Sequence, residues 1–307
     1  MIGVIKQYII GNKPFLSGLA IILVILYHTE LMCFYLGFLG VDIFMFLSGY
    51  FLCYSYENKS LVNFYKRRYT RILPIYIILA LFICIKDDTC ITVWDWICNL
   101  TTLSYYQLGG SFVDWYLSAL FYFYLMFPIF YKFSKYKRVE YVLLILVFVL
   151  FVIVDLHWKY ECALGRIPIF FMGILSYHEG KDSCNKTIKF ACFSFLLSLI
   201  AIVIYVGSSN LQTFYLFYLM APIMFYVTCY LLSRVKFNLY LKRSIEYLGN
   251  NSLEIYVGNV IAMNLNRHII LFEGISHAVN LIILTMIFSI LCIFYNRFIL
   301  NNVKIKC

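Results

Sequence analysis

Ten apolar segments, each close to the length that a helix needs to cross a lipid bilayer, follow one another along the chain. Hydrophobic residues make up 63% of the sequence and charged residues only 13%, whereas roughly a quarter of the residues in soluble domains are charged. Because a membrane-spanning helix takes roughly 17–25 apolar residues, the sequence predicts an all-α integral membrane protein. The predicted spans lie near residues 15–35, 38–54, 71–86, 114–131, 139–156, 164–178, 188–206, 212–232, 251–268 and 278–296.

The basic residues gather on alternate sides of the predicted spans. If the N-terminus is cytoplasmic, all 25 lysines and arginines except Lys86, Lys159, Arg166 and Arg267 fall in cytoplasmic connections or termini. Since cytoplasmic loops carry the excess of Lys and Arg, we predict one domain over residues 1–307. It is a bundle of about ten transmembrane helices in the cell (plasma or inner) membrane, with both termini cytoplasmic. Topology and attraction to anionic lipids then explain the net charge of +10, which requires no nucleic-acid partner.

One histidine, His28, lies within the first apolar segment. An ionisable side chain is costly inside a membrane and suggests a functional site, and imidazole is suited to proton transfer near neutral pH. The alternative interpretation is a buried histidine that only bonds to a neighbouring helix. Glu30 and Asp42 lie near the outer parts of the first two segments. They are placed to orient or polarise the imidazole, although hydration at a helix end also explains Glu30.

A basic cluster precedes the third apolar segment and includes Lys66, Arg67, Arg68 and Arg71. Arg68 and Arg71 are three residues apart and therefore share one face of a helix. Guanidinium groups bind phosphate through two parallel hydrogen bonds, so the cluster is suited to a polyanionic ligand. An ordinary cytoplasmic flank that meets lipid phosphates is the alternative.

The longest connection, residues 86–113, is predicted to lie outside the cell and carries Trp94 and Trp96. Tryptophan often lies at the membrane interface, and it also stacks on sugars, so both interpretations stay open. The sequence has no metal-ligand spacing, no Walker-type glycine loop and no Gly-x-Ser-x-Gly elbow. We therefore expect no metal site.

Three consecutive motifs give the chain a specific resemblance. They are residues 26–28 (Leu-Tyr-His), residues 40–50 (Gly-Val-Asp-Ile-Phe-Met-Phe-Leu-Ser-Gly-Tyr) and residues 65–74 (Tyr-Lys-Arg-Arg-Tyr-Thr-Arg-Ile-Leu-Pro). In order and spacing the chain resembles the acyltransferase family 3 membrane domain, the group that O-acylates bacterial surface and secreted glycans. Weaker matches continue downstream at residues 115–128, 166–173 and 248–256.

This resemblance implies a membrane-bound O-acyltransferase, which we expect to be an O-acetyltransferase. The donor would be acetyl-CoA, a co-substrate rather than a permanently bound cofactor, and the acceptor a hydroxyl of a glycan or lipid-linked saccharide. His28 would be the catalytic residue, assisted by Asp42 or Glu30. The donor site would comprise Arg68, Arg71, Arg67 and Lys13, and the candidates for contact with the acceptor or the oxyanion are Arg166, Asn259, Tyr256 and Trp115.

The chain departs from the family pattern at two positions. The family usually has Arg or Lys where this chain has Ser17, and many relatives have a histidine where it has Asn259. Lys13, one turn before Ser17, is placed to substitute for the first loss by extending its side chain along the helix. Two other functions therefore stay open. One is a catalytically inactive scaffold, and the other is a transporter or flippase for a lipid-linked sugar.

Overall fold

The computed structural model describes residues 2–30, 34–57, 60–86, 92–106, 113–136, 138–153, 158–179, 185–205, 214–266, 269 and 276–304. Every regular element in these ranges is helical, so the all-α prediction is confirmed there. A short 3₁₀ helix, Leu103–Tyr106, lies between α5 and α6. The α-helices are α1 (Ile2–Gly11), α2 (Lys13–His28), α3 (Phe34–Glu57), α4 (Leu61–Lys86), α5 (Val93–Leu100), α6 (Trp115–Phe133), α7 (Val139–Ile153), α8 (Trp158–Leu164), α9 (Ile167–His178), α10 (Asn185–Tyr205), α11 (Phe214–Arg234), α12 (Leu239–Asn250), α13 (Ser252–Leu265) and α14 (His277–Lys304).

Each of the ten predicted spans overlaps a helix, although the first, residues 15–35, extends beyond the end of α2 at His28 and includes residues 31–33, which lie outside the described ranges. Within the described residues, five helices are long and apolar enough to cross a membrane, namely α3, α4, α6, α10 and α14. The helices α2 and α7 are apolar but shorter. Membrane character therefore agrees with the helices, while the count of ten crossings and the cytoplasmic termini stay predictions.

The helix α4 begins earlier than the sequence predicted. It starts at Leu61 rather than near residue 71, so the basic cluster lies in its first turns and not in a loop. The hydropathy of these turns is low, but Lys and Arg are good helix formers. Pro74 lies inside the helix, and Thr70, four residues earlier, turns its hydroxyl back to the carbonyl oxygen of Lys66 at 2.7 Å.

The chain divides into two compact units, and the prediction of a single domain over residues 1–307 stays a prediction. The first unit comprises Met1–Val24, Phe34–Ser60 and Met126–Gly249, and the second comprises Ile25–Cys33, Leu61–Leu125 and Asn250–Cys307.

In the first unit, α3 packs closely against α9 because glycines remove the side chains between them. A Cβ atom at Gly49 would lie 2.1 Å from the carbonyl oxygen of Phe170, and one at Gly173 would lie 2.3 Å from that of Phe46. Small residues allow helix backbones in membranes to approach each other in this way. The contact fixes Asp42 on α3 and Arg166, which directly precedes α9.

In the second unit, α13 and α14 form a close helix pair, and α4 packs against both. Gly258 on α13 allows the approach, because a Cβ atom there would lie 2.6 Å from the backbone nitrogen of Ser289. A buried hydrogen bond from Asn296 to Glu254 also joins the two helices. This pair carries Asn259, which bonds to His28, and Thr285, which bonds to Asn259.

Candidate active site

His28 is the last residue of α2, and its side chain is half-buried. Its Nδ1 atom forms a hydrogen bond with Oδ1 of Asn259 on α13, 231 positions along the chain. Among the described residues His28 has no other hydrogen-bond partner. The other ring nitrogen, Nε2, therefore makes no hydrogen bond within the described part of the chain.

Asn259 is completely buried, and both ends of its amide group are bonded. Its Oδ1 atom meets the imidazole, and its Nδ2 atom donates a hydrogen bond of 3.1 Å to the hydroxyl of Thr285 on α14. Thr285 is also buried. The resemblance suggested Asn259 as a contact to the acceptor or the oxyanion, and this stays a prediction. The structure bonds its side chain to His28 and Thr285 in a chain of three residues that the sequence did not predict.

Tyr256 lies on α13 one turn before Asn259, and its hydroxyl donates a 2.9 Å hydrogen bond to Asp114. The same carboxylate accepts a 2.7 Å bond from the backbone nitrogen of Leu117, which ties down the start of α6. Both Tyr256 and Asp114 are buried. Asp114 was missed from the sequence, although an aspartate directly before an apolar helix is a recognisable capping signal.

The arginines of the basic cluster differ in exposure. Arg67 and Arg71 are exposed, whereas Arg68 is half-buried, and its guanidinium carbon lies 6.0 Å from the centre of the Phe64 ring. The Nε atom of Arg68 is buried, and the structure shows no hydrogen-bond partner for it among the described residues. The first turns of α4 thus present several guanidinium donors in one short stretch.

Arg166 and Asp42 pair with each other in the first unit. The Nε atom of Arg166 lies 3.2 Å from Oδ1 of Asp42, and both side chains are almost fully buried. The guanidinium also lies 5.0 Å from the centre of the Phe38 ring and 4.7 Å from that of Tyr218. Its two terminal nitrogens have no hydrogen-bond partner within the described part of the chain.

The remaining predicted site residues, Glu30, Lys13 and Trp115, are more exposed to solvent than Arg166 and Asp42. Glu30 is exposed and follows α2 with a φ of 59°, so the chain turns sharply there. Lys13, at the start of α2, places its Nζ atom 4.3 Å from the centre of the Phe51 ring. Trp115 is half-buried at the first position of α6 and contacts the ring of Tyr116. Ser17 is buried in α2.

The apolar helices indicate a membrane protein. The half-buried His28, bonded to the buried amide of Asn259, is a candidate site for proton transfer. The family model for acyltransferase family 3, described as an acyltransferase domain, matches residues 15–294, nearly the whole chain. The chain therefore belongs to this acyltransferase family, and the resemblance drawn from its motifs is confirmed. No curated protein and no solved structure matches it.

Proposed function

We propose that this membrane acyltransferase transfers an acetyl group from acetyl-CoA to a hydroxyl of a surface glycan or of a lipid-linked saccharide precursor. The observation that supports a role in catalysis is the state of His28. Its ring is held through Nδ1 by Asn259 while Nε2 has no partner among the described residues. A general base needs such an orientation, with one ring nitrogen anchored and the other open to the substrate.

In the proposed reaction, Nε2 of His28 accepts the proton of the acceptor hydroxyl. The oxygen then attacks the thioester carbonyl carbon, so a carbon–oxygen bond forms and the carbon–sulfur bond breaks. The thiolate of CoA leaves and takes the proton back from the imidazolium, which restores the neutral ring. In the alternative route, Nε2 itself attacks the thioester carbonyl carbon, the carbon–sulfur bond breaks and the CoA thiolate leaves. The acceptor hydroxyl then attacks the acyl-histidine, the carbon–nitrogen bond breaks, and the hydroxyl proton passes to the thiolate.

The donor site proposed for acetyl-CoA lies on the first turns of α4. Arg67 and Arg71 are exposed there, and Arg68 holds a buried Nε atom without a partner in the described residues. Guanidinium groups in this arrangement suit the phosphates of CoA. Lys13 is proposed as a further cation for the same ligand.

The acceptor side is proposed to use Arg166, because the terminal nitrogens of its guanidinium have no protein hydrogen-bond partner in the described ranges. The four N–H donors on these two nitrogens are buried and unbonded, which is costly, and sugar hydroxyls would satisfy them. Trp115 and Tyr256 are proposed as further contacts to the acceptor or to the oxyanion. We also propose ten crossings with both termini cytoplasmic in the plasma (inner) membrane, which puts the basic turns of α4 on the side where CoA is present.

The decisive experiment measures ester-linked acetate on the surface glycans of the host. A deletion strain is complemented with wild type, with His28→Ala or with His277→Ala, a control at an exposed histidine that bonds to Asn266, all at matched expression. We expect wild type and His277→Ala to restore the acetate and His28→Ala to fail. Equal restoration by all three would remove His28 as the catalyst, and acetate unchanged by the deletion would contradict the proposed acetyl transfer.

A further inference from the structure

We propose that Asn259 is a positioning residue that fixes the tautomer and orientation of the His28 imidazole, and that Thr285 holds Asn259 in the orientation this requires. The inference rests on the proposed function, since it assigns how His28 is prepared to act as a base. It makes His28, Asn259 and Thr285 one functional chain across α2, α13 and α14.

The hydrogen bonds of the Asn259 amide group have opposite directions at its two ends. The Nδ2 atom of Asn259 donates to the Thr285 hydroxyl at 3.1 Å, and this places the carbonyl oxygen of the amide toward His28. With the amide in this orientation its oxygen only accepts, so the Nδ1 atom of His28 carries the proton. The lone pair of the neutral imidazole is then on Nε2.

The other tautomer of the His28 imidazole would not act as a base toward the substrate. With the proton on Nε2, the nitrogen that is open to the substrate would donate rather than accept, and it could not take a proton from a hydroxyl. The hydrogen bond made by one ring nitrogen decides the state of the other. Asn259 therefore acts on the reaction without touching the substrate.

The neutral charge of the Asn259 amide suits its buried position. Asn259 is completely buried, in a helix whose neighbours are predicted to lie within the membrane. A carboxylate in its place would carry a buried negative charge at high cost while His28 is neutral. An amide orients the ring with no such cost. This gives a chemical role to the asparagine that replaces the histidine of many relatives.

The structure also separates a positioning role from simple helix pairing. Asn296 on α14 bonds to Glu254 on α13, so a second buried side-chain hydrogen bond joins the same two helices. One turn from Thr285, the hydroxyl of Ser289 is buried and makes no hydrogen bond with any described residue. Asn296→Ala and Ser289→Ala are thus matched controls for Asn259→Ala and Thr285→Val.

The test measures kcat and KM for acetyl-CoA with purified protein and an acceptor glycan of the host. We expect Asn259→Ala to lower kcat about 10- to 100-fold, part of the contribution usual for general-base catalysis, with KM for the donor unchanged. Thr285→Val should lower kcat less, and Thr285→Ser, which keeps the acceptor hydroxyl, should restore it. In the Asn259→Ala background Thr285→Val should add nothing, since both act through the same contact.

A second cycle links the effect to His28. In the His28→Ala background Asn259→Ala should cause no further loss, because the imidazole it positions is gone. The inference is overturned if Asn259→Ala costs no more than Asn296→Ala, if Thr285→Ser is as harmful as Thr285→Val, or if Asn259→Ala still lowers the residual rate of His28→Ala. Full activity of His28→Ala would instead overturn the proposed function itself. If Asn259→Ala does not fold, Thr285→Val and Thr285→Ser decide the matter alone.

Discussion

The Nε atom of Arg166 lies 3.2 Å from Oδ1 of Asp42, and the two side chains are only 1% and 6% exposed. The rings of Phe38 and Tyr218 flank the guanidinium. Among the described ion pairs, the Asp42 carboxylate is the one counter-charge of Arg166. Removing one partner of a buried ion pair leaves the other charge without compensation. Loss of either partner of this pair is therefore expected to lower the free energy of unfolding.

We expect Asp42→Ala to lower the free energy of unfolding by about 3–5 kcal/mol, measured by thermal or denaturant unfolding of the detergent-purified protein. Arg166→Met in the same background should recover part of the loss, because it removes the uncompensated charge. The control is Glu246→Ala, which breaks a partly exposed pair with Lys242 at 3.8 Å and should cost less than about 1 kcal/mol. Similar losses for Asp42→Ala and Glu246→Ala would contradict the prediction.

A second prediction concerns the contact between α3 and α9 that holds this ion pair. In Gly49→Ala the new Cβ atom would lie 2.1 Å from the carbonyl oxygen of Phe170, so the helices must move apart. Overpacking of this kind costs about 1–3 kcal/mol, and we expect a lower melting temperature. Gly11→Ala is the control, because nothing lies within 4 Å of a Cβ atom there. An unchanged melting temperature for Gly49→Ala would contradict the close approach of α3 and α9 at this residue.

The helices were largely predictable from the sequence, because an apolar run is a local signal. Each predicted span overlaps a helix. The start of α4 was not predictable from hydropathy, since its first turns are basic. The α5 helix in the connection between residues 86 and 113 was also missed, although Thr92 and Asp95 form a reciprocal capping pair at its start. Such short helices depend on caps rather than on apolar length.

The partners within the candidate site were beyond the reach of local patterns. His28 and Asn259 were both singled out, but their contact joins residues 231 positions apart. The pair of Asp42 with Arg166 was not predicted, and a role of Asp42 beside the imidazole stays a prediction. Thr285 carries no motif of its own, and the capping signal of Asp114 does not reveal its hydrogen bond with Tyr256. Tertiary packing decides which polar groups come into contact in the interior, and local patterns in a single sequence do not reveal such long-range contacts.

A third prediction tests the donor site on α4. Arg68→Ala should raise KM for acetyl-CoA about tenfold or more, because a hydrogen bond to a charged group contributes about 1.5–3 kcal/mol, while kcat should change little. Arg68→Lys should recover only part of the affinity, since an ammonium group lacks the planar fork. The control is Arg243→Ala at an exposed position of α12, which should leave KM unchanged. A fall in kcat at constant KM would place Arg68 in another role.

The last prediction is the pH dependence of the rate. A protonated imidazole has no lone pair, so the rate should fall as the pH drops below the pKa of His28, by about tenfold per pH unit on the acid limb. A transient acyl-histidine would give the same limb, because attack on the thioester also needs the free lone pair. The measurement is the rate of acetyl transfer by purified protein between about pH 5 and pH 8, the range in which imidazole changes charge. Thermal unfolding over the same range serves as the control, since a loss of fold would also lower the rate at acid pH. A flat profile in protein that remains folded would exclude a titrating histidine from the rate-limiting step and leave His28 with a structural role.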